Sequence, residues 1–193
     1  LEARRREILC GALVVFFADE CHLLWGDLCG YVWGKTDERI ELPLLNERLK
    51  QTYYGAVDIH TRRCLIQRAV AGNSEGTIAF LQYLLSQCPH SRIALIWDGA
   101  SYHRSQEVKE DLESVNQGLD ESQWKITCLW FAPNDPKQHP IEDIWLHAKR
   151  FIREYYHLCQ SFKAVKFLFE FVTHQQTFDF PKLSTYGCFS QVT

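Results

Sequence analysis

Apolar residues along this chain fall into two kinds of pattern: unbroken runs, and spacings of three and four. Leu13-Val-Val-Phe-Phe-Ala18 is an unbroken run rich in strand formers and fits a strand buried on both faces. It gives way abruptly to Asp19-Glu20. Ile93-Ala-Leu-Ile-Trp97 repeats the pattern and also gives way to an acid, Asp98. Gly30-Tyr-Val-Trp33 reads as a short strand stopped by Gly34, and residues 35–51, polar with Pro43, as a loop. Tyr53–Ile59 and Cys64–Val70 flank Asp58-Ile-His-Thr-Arg62 and predict a hairpin. Ser74 is placed to cap a helix over about 75–87, whose apolar positions are Ile78, Leu81, Leu84 and Leu85. A polar helix is expected over about 105–116, a polar connection over 117–125, and a strand over 125–131. Pro133 to Pro136 is a turn. Pro140 suits the first turn of a long helix reaching about His157, and a second apolar helix follows over about 162–174.

Strands, helix, strand, helix, strand and helices in that order define an α/β domain with a mixed sheet of about five strands flanked by helices. We expect residues 1–11 to be a linker or the end of an upstream region, 12–175 the folded domain, and 176–193 an irregular tail. The chain contains no Met, which suggests a piece of a longer protein.

Composition changes this picture little. The chain has 193 residues, 46% of them hydrophobic and 23% charged, enough for one sizeable core and too hydrophobic for wholesale disorder. A formal net charge of −3 does not announce a nucleic-acid partner, yet affinity follows local patches rather than the total. Leu13–Ala18 is too short to span a bilayer, and no membrane association is expected. The 8 Cys include no C-x-x-C pair and read as reduced, mostly buried thiols of a cytosolic protein.

The two strands ending in Asp carry the chemistry. Ligand sites of open α/β sheets lie beyond the carboxyl ends of the strands. If the two strands are parallel neighbours, Asp19 and Asp98 face each other closely. Mutual repulsion would keep one protonated unless a divalent cation relieved it. Oxygen donors at an open edge suit Mg²⁺ or Mn²⁺. Each Asp could equally be a strand-end turn residue or a helix cap.

The segment Phe131-Ala-Pro-Asn-Asp-Pro-Lys-Gln-His-Pro-Ile-Glu-Asp-Ile-Trp145 adds a third acid. Together with Asp19-Glu20 and Trp97-Asp98-Gly-Ala-Ser-Tyr-His103, it resembles the DDE superfamily of transposases, most of all the bacterial insertion-sequence branch related to Tc/mariner elements. The matching positions are Pro133, Pro136, Pro140, Ile141, Glu142 and Trp145, and the resemblance covers about residues 12 to 158. It implies a ribonuclease-H-like fold in which Asp19, Asp98 and Glu142 are catalytic and hold two Mg²⁺ or Mn²⁺ ions. It further implies phosphodiester hydrolysis and strand transfer at transposon inverted repeats. The implied partners are double-stranded DNA, as transposon ends and target, and a second copy in a homodimer. The implied location is the bacterial cytoplasm, with nucleoid association when on DNA. His139 stands where relatives usually carry Asn, Gly99 where many carry Asn, and 43 residues separate Asp98 from Glu142, more than in compact members. Relatives also carry an upstream helix-turn-helix module that these residues lack.

Helical geometry places Glu142, Lys149 and Arg153 on one face at about 100° per residue. A metal-binding acid followed by two cations suits a DNA strand, and so does an ordinary solvated face. His103 is a candidate phosphate contact or a structural residue. Glu20 should point away from Asp19 by strand alternation. Asp143 suits the helix dipole, Trp25 suits the core, and Arg4–Arg6 suit either phosphate or solvent. Three other readings stay open. One is a truncated transposase remnant that binds DNA or a partner without catalysis. Another is a different ribonuclease-H-like nuclease, which the Pro-Ile-Glu-x-x-Trp motif disfavours. The third is a metal-free structural module, which would leave the three acids unexplained.

Overall fold

The computed structural model describes residues 2–28, 35, 37, 48–131 and 139–181. The expected strand at Gly30–Trp33, most of the loop after it and the Pro133–Pro136 turn lie outside these residues. The strands are β1 (Leu13–Leu24), β2 (Lys50–Asp58), β3 (Cys64–Ala69), β4 (Arg92–Trp97) and β5 (Ile126–Trp130). The helices are α1 (Arg5–Leu9), α2 (Ser74–Gln87), α3 (Gln106–Val115), α4 (Pro140–Glu154) and α5 (Phe162–Thr173).

The five strands form one mixed sheet in the order β3-β2-β1-β4-β5. β1 is antiparallel to β2 and parallel to β4, and β4 is parallel to β5. The unbroken apolar runs are explained by this placement, because β1 and β4 have a strand on each side and helices on both faces. Val15 and Phe17 of β1 face a core built with Ile141, Trp145 and Phe169 of α4 and α5. Phe16 and Ala18 face a second core with Phe80, Leu84 and Val108 of α2 and α3. Alternation along β1 therefore assigns odd positions to the α4 side and even positions to the α2 side.

β1 does not stop at Asp19. Its pairing with β4 ends at Phe17↔Ile96, while its pairing with β2 continues through Asp19↔Gly55 to Leu24↔Lys50. Polar side chains did not end the strand because the β2 ladder still satisfied its backbone. Asp19 sits two residues past the parallel pairing, with only β2 at its side.

The helix caps follow local chemistry. Asn73, not Ser74, caps α2, its side chain accepting from Gly76 N at 2.8 Å. Ser105 caps α3 and Ser161 caps α5 in the same way. Residues 5–9 are helical, and Ile8 is buried in the α4-side core. Phe178 is buried there too, beyond a bridge between Arg63 and Thr177. Cys21, Cys64 and Cys159 are buried, and the described cysteines form no disulfide among themselves. Burial pushes the thiols of Cys21 and Cys128 up to about 12, so they stay protonated. No helix among the described residues is long and apolar enough to cross a membrane.

Candidate active site

Asp19 lies on the α4 side of β1, where the Trp145 indole Nε1 donates to its Oδ2 at 3.2 Å. That contact depends on a missing side chain. Gly55 is directly opposite Asp19 in β2, and a Cβ there would stand 2.2 Å from Trp145 Cη2 and 3.2 Å from Ile141 Cδ1. Gly55 thus opens the slot through which α4 docks onto β1 and β2. Burial, and then the neighbouring Glu20 and Asp98 carboxylates, push the Asp19 carboxyl up to about 7. A carboxyl held that high by desolvation and other acids is one that a cation would favour in its charged form.

Asp98 follows the last residue of β4, and its side chain is about half exposed. Its Oδ1 accepts from Ala100 N at 3.1 Å and lies 3.3 Å from His103 Nδ1. The chain makes a short 3₁₀ turn over Ser101–Arg104, which folds His103 back beneath Asp98. The imidazole is buried and lies flat on Trp97, with ring centroids 4.1 Å apart and planes 5° apart. Its other nitrogen, Nε2, meets Glu20 Oε1 at 2.7 Å.

Glu20 does point to the opposite side from Asp19, and that is the side to which the turn returns His103. The ligand atoms of Glu20, Asp98 and His103 all lie within 4.8 Å of one another. Asp19, Asp98 and Glu142 do not form such a group at that distance. Their elements still converge: β1 and β4 are parallel neighbours, and Trp145, one turn beyond Glu142, bonds Asp19. Sequence reasoning gave Glu20 no role. The signal that could have found it is parity: Glu20 faces the side that the His103 turn must cover. Gly55 was also missed, although a lone Gly inside a strand marks a close approach.

Glu142 lies in the first turn of α4 and is half-buried. His139 holds the position before Pro140 but does not cap the helix through its side chain. Its ring packs instead against Phe131, with centroids 4.7 Å apart. Lys149 and Arg153 turn toward the end of β1. Lys149 Nζ donates to His22 O at 3.1 Å and lies 3.2 Å from Asp27 Oδ2, while Arg153 Nε donates to Asp27 O. Their charges are engaged in anchoring α4. Trp25 is buried against Phe162, as a core residue. Arg4 pairs with Glu7, which also pairs with Arg92.

A mixed sheet with this order, helices on both faces and acids at the carboxyl edge of its two central parallel strands is the ribonuclease-H-like class. Within it, the chain belongs to the DDE superfamily endonuclease family, whose model matches residues 14–166. No curated protein matches the chain. Among solved structures, it is similar to a chain of the simian T-cell lymphotropic virus intasome in complex with PP2A regulatory subunit B56 gamma. The TM-score is 0.56 at 11% identity, covering 86% of this chain and 50% of that one, so the chain spans about half the length of that relative. It is also similar to the HTLV-2 integrase catalytic core domain in complex with magnesium, in its dimeric form, with TM-score 0.51, 14% identity and coverage of 83% and 87%. The BIV integrase catalytic core domain matches at TM-score 0.48 and 13% identity, covering 81% of this chain and 80% of that one. These likenesses concern the fold.

Proposed function

We propose that this chain is the catalytic domain of a DNA transposase of the bacterial insertion-sequence type. It would hydrolyse phosphodiesters and transfer strands at transposon inverted repeats. The observation that carries the proposal is the half-buried Asp19 carboxyl beside Asp98, just past the point where two parallel central strands part. Asp19 and Asp98 are assigned as shared ligands of two divalent ions, Mg²⁺ or Mn²⁺, and Glu142 as a ligand of the second. Held by these carboxylates, such ions would supply the charge that activates an attacking oxygen and stabilises the leaving one on a phosphodiester.

The chain's own residues supply position. Trp145 holds one oxygen of Asp19 and thereby ties the first turn of α4, with Glu142, to β1. His103 spans Glu20 and Asp98 and fixes the turn that follows β4. Phosphoryl transfer demands little more than such placement and charge. Double-stranded DNA is the proposed substrate, as element ends and target. The intasome and dimeric forms of the structural relatives support a homodimer, and a cytoplasmic, nucleoid-associated location follows from that substrate. The fold domain is assigned to residues 12–175, with 1–11 and 176–193 as its flanks.

A second reading is a truncated transposase remnant that binds DNA or a partner without catalysis. It is favoured by the separation of Glu142 from a compact carboxylate group and by the engagement of Lys149 and Arg153 with Asp27. Nicking of supercoiled plasmid DNA carrying inverted repeats, in Mn²⁺, separates the two. The proposed function predicts nicking that Asp98→Asn abolishes. Equal nicking by both proteins would sink the mechanism, and absence of nicking in both would favour the remnant.

A further inference from the structure

Four planar groups stack outward from the acidic cluster. His103 lies on Trp97 at 4.1 Å. Trp97 is the direct partner of Trp130 in the β4–β5 register, and their rings are 5.7 Å apart and 21° from parallel. The Arg104 guanidinium then lies 4.9 Å from the centre of the Trp130 ring. The inner pair is buried, whereas Trp130 is 41% exposed at the open carboxyl end of an edge strand. The Arg104 guanidinium covers the outer face of this indole in the free protein, so a base stacking there would take the place of the guanidinium, which is then free to turn to the phosphate.

Arg104 differs from Lys149 and Arg153 on the Glu142 face of α4. Lys149 and Arg153 are tied to Asp27 and its neighbours, and Arg4, Arg62, Arg68 and Arg92 each have a carboxylate. Arg104, among the described residues, has the Trp130 ring as its partner and no acid. Its guanidinium also lies against Gly99, the residue next to Asp98: a Cβ there would stand 2.6 Å from Arg104 Nη2, the end of a flexible chain that can shift. A flexible cation resting on an aromatic face at this sheet edge matches a nucleotide once the cation moves aside: phosphate to the guanidinium and base to the indole.

We infer that Trp130 and Arg104 form a stacking platform for an unpaired nucleobase of the DNA strand that crosses Asp98, with Arg104 neutralising its phosphate. The inference rests on the DNA-directed function proposed above. Recognition by stacking is tolerant of sequence, so the platform selects single-stranded character rather than a particular base.

The test is equilibrium binding of a short oligothymidylate and of a blunt duplex in EDTA, read by anisotropy and by tryptophan fluorescence. Trp130→Ala is expected to weaken oligothymidylate binding about tenfold and blunt-duplex binding far less. Arg104→Ala, at an exposed position that leaves the core intact, should weaken both and reduce the salt slope by about one. Trp130→Phe should keep most of the affinity but lose the fluorescence quenching that oligothymidylate causes in the wild type. Unchanged affinity in Trp130→Ala, unchanged quenching in Trp130→Phe, or no oligothymidylate binding by the wild type would each overturn the platform. Where Trp130→Ala does not fold, the Trp130→Phe and Arg104→Ala readouts decide. A protein that nicks plasmid DNA but lacks these dependences keeps its nuclease function and loses the platform, and one that shows them without nicking does the reverse.

Discussion

Gly55→Ala adds one methyl group at the point where α4 meets the sheet, and two effects of opposite sign compete there. Alanine inside a strand is favoured over glycine by roughly 0.5–1 kcal/mol, because the unfolded chain loses freedom. Against this, the new Cβ would fall 2.2 Å and 2.6 Å from two carbons of the Trp145 ring. Ordinary carbon contacts lie at about 3.5–4.0 Å, so the ring, α4 or β2 must give way by more than an ångström. The neighbour is a rigid indole wedged between β2 and Phe169, not a flexible chain end. Overpacking of this kind costs about 1–3 kcal/mol. Withdrawal of the ring also breaks the Trp145–Asp19 hydrogen bond, worth about 1.5–3 kcal/mol where the acceptor is charged.

The unfavourable terms win, and a net loss of about 2–4 kcal/mol is expected. Urea denaturation at pH 8 measures it. Trp145→Phe shortens the ring and should be destabilising alone, yet it removes the collision. The double variant should therefore be less destabilised than the sum of the singles by about 1–3 kcal/mol. Displacement of Glu142 by about 1 Å should also lower metal-dependent nicking about 100-fold in Gly55→Ala. Additive energies in the cycle, or a Gly55→Ala protein as stable as the wild type, would refute this account of how α4 is seated.

Asp19→Asn should stabilise the metal-free protein at high pH. The native carboxyl is raised from 3.8 to about 7, so ionisation costs folding energy that is absent below pH 4, grows between about pH 4 and 7, and is complete above. Allowing for the solvent contact that Asp19 retains, the gain at pH 8 in EDTA is about 2–4 kcal/mol, with little difference near pH 4. Chemical denaturation at both pH values checks it, and a gain that does not depend on pH would contradict the assignment. Glu20→Gln should loosen His103 and hence Asp98, raising the Mn²⁺ concentration needed for half-maximal nicking about 10-fold or more while changing stability less than Asp98-independent core substitutions do. An unchanged metal requirement would make Glu20 a purely structural residue. Asn73→Ala should cost about 1 kcal/mol through loss of the α2 cap, with nicking unaffected, as measured by denaturation and plasmid assay.

Some of this was legible along the chain. Unbroken apolar runs at Leu13–Ala18 and Ile93–Trp97 gave two central strands, because only strands covered on both faces need apolar residues at every position. Their parallel adjacency then placed Asp19 and Asp98 at one edge. What pattern could not supply was the other half of β1. Residues 19–24 look unlike a strand from the β4 side, where pairing has ended, and are a strand only because β2 continues beside them. The part played by Glu20 is hidden along the chain for the same reason. Alternation correctly directed it away from Asp19, but the destination of that direction is set by the Ser101–Arg104 turn, which lies more than eighty positions along the chain.

The same geometry explains why the acids at this edge can be both costly and retained. Asp19 faces α4, where the Trp145 indole donates to it beside a backbone hydrogen bond from Glu20, and Asp98 is turned partly to solvent. Glu20, by contrast, is directed into the opposite layer and receives His103. Neighbouring acids on β1 are therefore sorted by strand parity into one with a close protein partner of opposite charge capacity and one without. The acid that meets His103 organises the turn, and the one held by neutral donors keeps its electrostatic demand. A fold that wanted only stability would replace Asp19 with an apolar residue, since Val15 and Phe17 show what that face of β1 otherwise carries. Retaining a carboxyl there makes sense if its charge is completed from outside the chain, and the metal-linked reversal of the Asp19→Asn effect, stabilising in EDTA and not in saturating Mn²⁺, is the measurement that would show it.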